Sequence, residues 1–361
     1  MVWQLTILLQ VRGAQSRILR RGLKLCWISQ PDGRAACLRG VWRRDWANGW
    51  TTETGGGQMR VLLTGATGFL GSHIAAHLVV RGDDVLAIHR PGTRLDRLQK
   101  VIGNHLATAK MSEGYDNLED ILAHFKPDAV IHVAAKSRGG ESPSELKEYV
   151  DANILFPSRL LQAMEAVNVR ALVNAGTSWQ WGEDGSYRPF NYYAATKQCF
   201  EDILPHYCES GLKCATLRLF DIVGPGDDRN RIIDLLIDAG LRGEALKMSP
   251  GEQHMYIVDV RDAARAFVHA VDLVTSAEAD AHSVYGLRSH EAINLKDLVD
   301  QLQQETGLRI DVEFGGRPYR AREIMRPYDG QPLPPGWQPQ ITLPQTLRDM
   351  VHFRQQALLS A

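Results

Sequence analysis

Cysteine is scarce in this sequence. Five thiols in 361 residues, Cys26, Cys37, Cys199, Cys208 and Cys214, are odd in number and lack metal-ligand spacing. They exclude a disulfide framework and a metal site, and read as reduced thiols of a cytoplasmic protein. Charge of one sign is missing too: 41 Lys and Arg meet 42 Asp and Glu, a formal net charge of -1. No bulk field draws the chain to nucleic acid or to a membrane, so an anionic ligand must be held by local groups. No run of about 18 apolar residues occurs, which excludes a spanning helix. Internal repeats and low-complexity tracts are absent. What is present, 44% apolar and 23% charged residues, is a globular composition, in a chain long enough for one large domain or two ordinary ones.

Residues 1–58 differ from the rest. They carry five of the eight tryptophans, and nine Lys or Arg against three acids (Asp32, Asp45, Glu53). No helical or strand period runs through them. A basic targeting peptide, an N-terminal arm and upstream DNA translated in error are the three readings. The expectation is the third, with the natural start at Met59: that residue directly precedes the first core strand, and Gly55-Gly56-Gly57 requires G-rich codons of the kind found in a bacterial ribosome-binding site.

From Met59 the pattern is regular. Arg60–Thr64 is a short apolar run, expected as a buried parallel strand; Gly65-Ala66-Thr67-Gly68-Phe69-Leu70-Gly71 follows, then a helix over Ser72–Arg81 and a second strand over Asp84–Ile88. Strand, glycine turn, helix and strand make the βαβ unit of a dinucleotide fold. Gly65 allows the sharp turn, Gly68 lets backbone approach a pyrophosphate, and Gly71 lets the helix lie close to the sheet. The phosphates would sit on the N–H groups at the helix start, so Thr67, Phe69 and Leu70 join the three glycines as expected cofactor contacts. An acid ending the second strand would bind the ribose hydroxyl of NAD; His89 and Arg90 stand there, with Arg94 nearby. Arginine suits the 2′-phosphate of NADP, the expected cofactor, with NAD as the alternative. Ala129–Ala135 reads as another strand, whose small Ala134 and Ala135 leave room for the adenosine half. His132 within it reads as a packed core histidine.

Ala171–Gly176 is a further buried strand, with Thr177 and Ser178 at its end. Downstream, Tyr193 and Lys197 stand four apart, on one face of a helix. Carbonyl reduction by hydride needs an acid for the growing alkoxide, and the reverse oxidation needs a base. An ammonium beside a phenol adjusts it to that task and can also bond the nicotinamide ribose. Tyr192 meets Thr196 four residues on, so it reads as packing or substrate contact.

The glycine turn and Tyr193-Ala194-Ala195-Thr196-Lys197 resemble the extended short-chain dehydrogenase/reductases, the NAD-dependent epimerase/dehydratase family, over Met59 to about Arg354. The resemblance implies a Rossmann doubly wound parallel sheet with helices on both faces and a smaller C-terminal α/β substrate domain. It implies Thr177, with Ser178 as the alternative, as the hydroxyl that holds the substrate oxygen, and Asn153 as a brace of the active-site helix. It also implies a homodimer through the helices near Tyr193. The third strand departs from the family: Lys110-Met111 follow where an aspartate usually contacts adenine, which puts that contact in doubt. Family 4,6-dehydratases carry Asp-Glu directly after the threonine; Ser178-Trp179 here exclude that dehydration. Thr177–Trp181, Tyr193–Gln198 and Lys247–Gln253 resemble the CDP-abequose/CDP-paratose synthase group, which are 4-ketoreductases of CDP-4-keto-6-deoxyglucose. The resemblance therefore implies 4-keto reduction of a nucleotide sugar, with a nucleotide-sugar 4-epimerase and a non-catalytic NAD(P) sensor as the alternatives.

Asp221, Arg229 and Arg231 are expected at the substrate, the guanidiniums either pairing with its diphosphate or opening a solvated helix. Arg317 or Arg320 either grips a phosphate or pairs with Glu323. The dinucleotide domain is expected over 59–223 with 254–275 returning to it, and the substrate domain over 224–253 and 276–354. Truncating the chain so that it begins at Met59 is expected to leave folding and cofactor binding intact; loss of either, by circular dichroism or cofactor titration, would refute the reading of the first 58 residues.

Overall fold

The computed structural model describes residues 58–103, 106–138 and 140–359. The expectation for 1–58 therefore lies, Gln58 apart, outside the described residues, as do Cys26 and Cys37. The first half alternates strand and helix: β1 (Arg60–Thr64), α1 (Phe69–Arg81), β2 (Asp84–His89), α2 (Asp96–Ile102), β3 (Ala107–Lys110), α3 (Leu118–Phe125) and β4 (Ala129–His132). A long helical stretch follows as α4 (Pro143–Val150), a π-helical turn (Asp151–Leu155) and α5 (Phe156–Ala166). Then come β5 (Ala171–Thr177), a 3₁₀ turn (Ser178–Gln180), α6 (Tyr192–Glu209) and β6 (Lys213–Leu219). The second half holds β7 (Asp221–Val223), α7 (Ile232–Arg242), β8 (Leu246–Met248), β9 (His254–Met255), β10 (Ile257–Asp259) and α8 (Val260–Thr275). β11 (His282–Leu287), β12 (Ile293–Asn294), α9 (Leu295–Thr306), β13 (Val312–Phe314) and α10 (Leu343–Leu359) complete it.

Seven strands form one parallel sheet in the order β3-β2-β1-β4-β5-β6-β11. Val61, Leu62 and Leu63 are wholly buried, as are Val130 and Ile131, because helices cover both faces and no solvated side remains to take polar residues. Between β1 and β4 the strand order reverses, which opens a crevice at the carboxyl ends of the strands. A second apolar cluster gathers Ile233 and Leu236 of α7, Leu298 and Leu302 of α9, and Leu347 and Met350 of α10. This is the core of the smaller C-terminal part.

Several boundaries move. α1 starts at Phe69, three residues before its expected start, because Gly68 is already the extended N-cap (φ -79°, ψ 172°). β4 stops at His132, short of the alanines, since its register with β1 ends at Thr64↔His132 where β1 turns away at Gly65. The helical stretch that carries Asn153 begins at Pro143. There Glu145 accepts a hydrogen bond from the Ser142 N–H, a capping box with proline in the first turn.

Two domain expectations are corrected. β11, expected in the substrate part, pairs with β6 along its whole length as the seventh strand of the main sheet. Of the residues 254–275 expected to return to that domain, the strands do not join its sheet: β9 pairs with β12, and β10 with β7. What returns is α8, ten of whose residues are buried and which packs against α1, β4, β5 and β6.

Candidate active site

The β1–α1 turn is built by close approach. Gly65 has φ +72°, and a Cβ there would stand 2.7 Å from the Ala134 nitrogen. At Gly71 a Cβ would stand 2.1 Å from the Gly65 carbonyl oxygen. These two glycines are demanded by the protein itself. Gly68 is exposed, and a Cβ there would meet only the Gly65 oxygen, at 3.3 Å. Its missing side chain instead leaves backbone open to a ligand. α1 has no side-chain N-cap and no acid in its first turn, so the N–H groups of its start and its dipole are available to an anion. The turn therefore fits a dinucleotide pyrophosphate.

Beyond the ends of β2 and β3 lies a cleft of about 450 Å³, walled by the loop Arg90–Thr93 on one side and by Ser112 and Glu113 on the other. Tyr115 lines it and donates to Asp151 at 2.8 Å. Burial raises the Tyr115 phenol to about 12, helped by Asp151. Arg90 is exposed at the cleft, whereas Arg94 is held by Asp96 at 2.7 Å. In place of an aspartate after β3, Lys110 is exposed and Met111 buried. Sequence reasoning missed Glu113 and Tyr115, whose spacing carries no motif.

Across the crevice, β5 delivers Thr177 and Ser178, each 6% exposed. The Thr177 N–H donates to Gln180 Oε1 at 2.8 Å, and its hydroxyl accepts from the Trp179 N–H at 3.4 Å. Asn191 caps α6 by accepting from the Ala194 N–H at 2.9 Å, which places Tyr193 in the first turn and Lys197 one turn below. Asn153, in the π-helical turn, accepts from the Lys136 N–H at 2.8 Å and donates to the Lys136 oxygen and to Thr196 Oγ1, both at 2.9 Å. Thr196 in turn donates to the Tyr193 carbonyl at 2.8 Å. The chain leaving β4 is thus tied through Asn153 to the helix that carries Tyr193, as expected of a brace.

Tyr193 is half-buried. Desolvation pushes its phenol up to about 12, against a downward pull from Arg231 and then Arg229. Lys197 is 1% exposed; burial pushes its ammonium down to about 8, and Glu201 opposes the fall. Near neutral pH the pair is therefore a protonated phenol and a mostly charged amine. His132 is buried between Phe156 and Phe200 and bonded to Thr64 Oγ1 at 2.9 Å, a packed core histidine as expected. Tyr192 packs edge-on against Tyr149.

On the substrate side the two expected arginines separate. Arg231 lies over the Trp179 ring at 5.9 Å and 3.8 Å from the Asp221 carboxylate, beside Tyr193. Burial raises the Asp221 carboxyl, and Arg231 opposes this. Arg229 is corrected: its guanidinium is already taken by both oxygens of Asp227 and by the Ile222 carbonyl. It is not free for a diphosphate, and instead lies over the Phe69 ring of the glycine turn at 4.6 Å. Arg317 is exposed. Glu323 accepts from the Arg320 backbone N–H at 3.4 Å. Cys199 on α6 is exposed. Sequence reasoning also missed Glu201 and Arg218, joined at 2.7 Å while 4% and 7% exposed. A glutamate one turn after Lys197 is a readable signal; its partner on β6 is not. Among the described residues there is no cluster of three metal-ligating side chains and no helix long and apolar enough to cross a membrane.

The sequence profile of the NAD dependent epimerase/dehydratase family matches residues 61–285. CDP-abequose synthase of Yersinia pseudotuberculosis is 26% identical over 272 residues, 74% of this chain and 92% of that protein. UDP-glucose 4-epimerase of Corynebacterium glutamicum is 29% identical over 291 residues, 72% of this chain and 84% of that protein. Among solved structures, a UDP-glucose-4-epimerase from Stenotrophomonas maltophila with bound NAD and formylated UDP-arabinopyranose superposes with a TM-score of 0.74 at 22% identity, covering 84% of this chain and all of that one. It shares the fold.

The three glycines should respond differently to alanine. Gly71→Ala and Gly65→Ala are expected to lower stability by about 1–3 kcal/mol or more through overpacking and, at Gly65, backbone strain. Gly68→Ala is expected to change the melting temperature little yet weaken dinucleotide binding at least about tenfold. Equal melting losses for all three would refute the division of roles.

Proposed function

Because the chain belongs to the NAD dependent epimerase/dehydratase family, we propose that it is an NADP-linked 4-ketoreductase of a nucleotide-activated 6-deoxyhexose, similar in reaction to CDP-abequose synthase. The observation that carries this reading is the set of groups around the end of β5. Thr177 and Ser178 supply hydroxyls, Tyr193 supplies a phenol from α6, and the positions after Thr177 hold Ser178 and Trp179 with no carboxylate for proton transfer on the sugar. The lack of those carboxylates argues against removal of water and supports redox at a carbonyl.

Gly65, Thr67, Gly68, Phe69, Leu70 and Gly71 would hold the pyrophosphate, Ala134 and Ala135 border the adenosine half, Arg90 meets the 2′-phosphate, and Lys197 bonds the nicotinamide ribose. When bound, the cofactor supplies hydride to the sugar carbonyl. Thr177 holds the carbonyl oxygen, with Ser178 as the alternative, and Tyr193 gives that oxygen its proton. A phenol kept protonated by burial suits an acid. Arg231 and Asp221 bind the substrate, and Arg317 reaches its diphosphate from the C-terminal loop. The 29% identity to a UDP-glucose 4-epimerase favours 4-epimerisation, with cofactor retained and recycled, as the second reading. Exposed Val150 and Leu155, on the helices beside α6, support a homodimer, and the unpaired thiols Cys199, Cys208 and Cys214 support a cytoplasmic setting.

Incubation with CDP-, dTDP-, UDP- and GDP-4-keto-6-deoxyhexoses should consume NADPH with at least one of them. Tyr193→Phe should lower that turnover at least about 100-fold with cofactor affinity unchanged. Tightly carried cofactor with no consumption of added NADPH would instead establish the epimerase. The ratio of NADP to NAD affinity should exceed one and fall about tenfold or more in Arg90→Ala; a wild type that prefers NAD ends the 2′-phosphate assignment.

A further inference from the structure

The cleft beyond β2 and β3 is joined to α6 by a run of contacts that the proposed reaction does not use. It starts in the segment after β3. The Ser112 N–H donates to Asn117 Oδ1 at 2.8 Å, and Ser112 Oγ accepts from the Asp116 N–H at 2.8 Å. Within the loop so closed, Tyr115 is held at φ +64°, in the left-handed region. A bulky side chain is disfavoured there and persists only where its surroundings hold it. With that backbone the Tyr115 side chain lines the cleft, the whole residue being 7% exposed.

From the cleft wall Tyr115 clasps the π-helical turn at both ends. Its phenol donates to Asp151 at 2.8 Å, where the turn begins. Its ring lies 5.1 Å from that of Phe156, the residue after the turn. The Phe156 N–H closes the turn on the Asp151 carbonyl. Turns of this kind are rare and are frequent at functional sites. Asn153 sits inside it, 1% exposed, and donates to Thr196 Oγ1 at 2.9 Å. Thr196 donates to the Tyr193 carbonyl at 2.8 Å. Every polar link of the run has ordinary hydrogen-bond length. Asp151 lines the cleft as well, so a ligand seated there meets both partners of the first link.

We propose that Tyr115 and Asp151 are positioning residues through which the adenosine half of the dinucleotide, seated in the cleft, tightens the first turn of α6. The ligand stabilises the clasp, the clasp fixes Asn153, and Asn153 fixes Thr196 and with it the backbone that carries Tyr193. This rests on the reading of the cleft as the seat of the adenosine half. The two states are the clasp made and the clasp broken, and the effect at α6 is the ligand's preference for the first. It needs no contact between adenosine and α6.

The probes are 2′,5′-ADP and 5′-ADP, which carry the adenosine half with and without the 2′-phosphate and lack the nicotinamide end. Amide hydrogen exchange is followed in the full chain, without fragment and at saturation, over the first turn of α6 (193–197), with α9 as the reference. In the wild type the fragment should slow exchange in the first turn of α6 at least about fivefold, and in α9 less. Tyr115→Phe keeps the ring and loses the hydroxyl; it should bind fragment yet slow α6 by less than about twofold. Asp151→Asn, whose amide oxygen still accepts from the phenol, should keep the slowing, and Asp151→Ala should lose it. A brace with no tie to the ligand gives another pattern: exchange in Tyr115→Phe is faster with and without fragment, and the ratio between the two is that of the wild type. That pattern, equal slowing in α6 and α9, or bound fragment with no slowing in wild-type α6 would each overturn the proposal. Should Tyr115→Phe fail to fold, the contrast between Asp151→Asn and Asp151→Ala decides in its place. Slowing by 5′-ADP with no binding of 2′,5′-ADP would leave the clasp standing and end the NADP assignment. Binding of neither fragment removes the seat of the adenosine half, and this inference with it.

Discussion

Backbone must touch backbone at the β1–α1 turn, and the rest of the molecule is arranged around that constraint. Gly71 lies so close to the Gly65 carbonyl, and Gly65 to Ala134, that a single methyl group at either would displace a main chain. Because these contacts are made, α1 points its uncapped start at the crevice, and β4 leaves the sheet at His132 and passes over the turn. That departure carries Lys136 to Asn153, and Asn153 to the helix bearing Tyr193 and Lys197. The glycine turn and the helix that carries Tyr193 and Lys197 are thus set by one piece of close packing between glycines and an alanine, with polar bridges transmitting the position.

Much of this was legible in the residues. Short apolar runs predict buried parallel strands, and β1, β2, β4 and β5 are such runs. The four-residue interval between Tyr193 and Lys197 places them on one helical face whatever the surrounding fold. His132 could be read as core because its strand is apolar on both sides. What failed did so for physical reasons. β11 reads as an ordinary short strand, and nothing local says that its partner is β6, 68 residues earlier in sequence at His282↔Cys214. The return to the main sheet is made by α8, while β9 and β10 pair elsewhere, a division that the range 254–275 alone does not show. The role of Arg229 was misjudged because a guanidinium two residues from Asp227 looks free until the turn at Asp227–Arg229 folds it back.

The pairs of charges show the same division. Glu201 could be noticed from its helical spacing to Lys197, but its partner Arg218 arrives from a neighbouring strand. Burial of both makes the interaction consequential, since removing either partner from so dry a pair costs about 3–5 kcal/mol, whereas exposed pairs such as Arg94–Asp96 contribute little. Solvent access, which sequence does not display, decides which of two similar-looking ion pairs matters.

Phe69 belongs to the glycine turn, yet its ring lies beneath two guanidiniums from elsewhere: Arg229 at 4.6 Å and Arg97 at 5.9 Å. Arg97 also donates to the Gly226 carbonyl and pairs with Asp228, so the loop after β7 is fastened to the start of α1 and to α2 together. Each such ring contact contributes about 1 kcal/mol, but they share one aromatic face. The consequence is evolutionary: Phe69, Arg97 and Arg229 form a linked trio, and loss of the Phe69 ring removes the one contact the two arginines share, though each keeps its own partners in the loop. Divergence of the loop toward new ligands is thereby tethered to a residue whose neighbours are committed to a different ligand altogether.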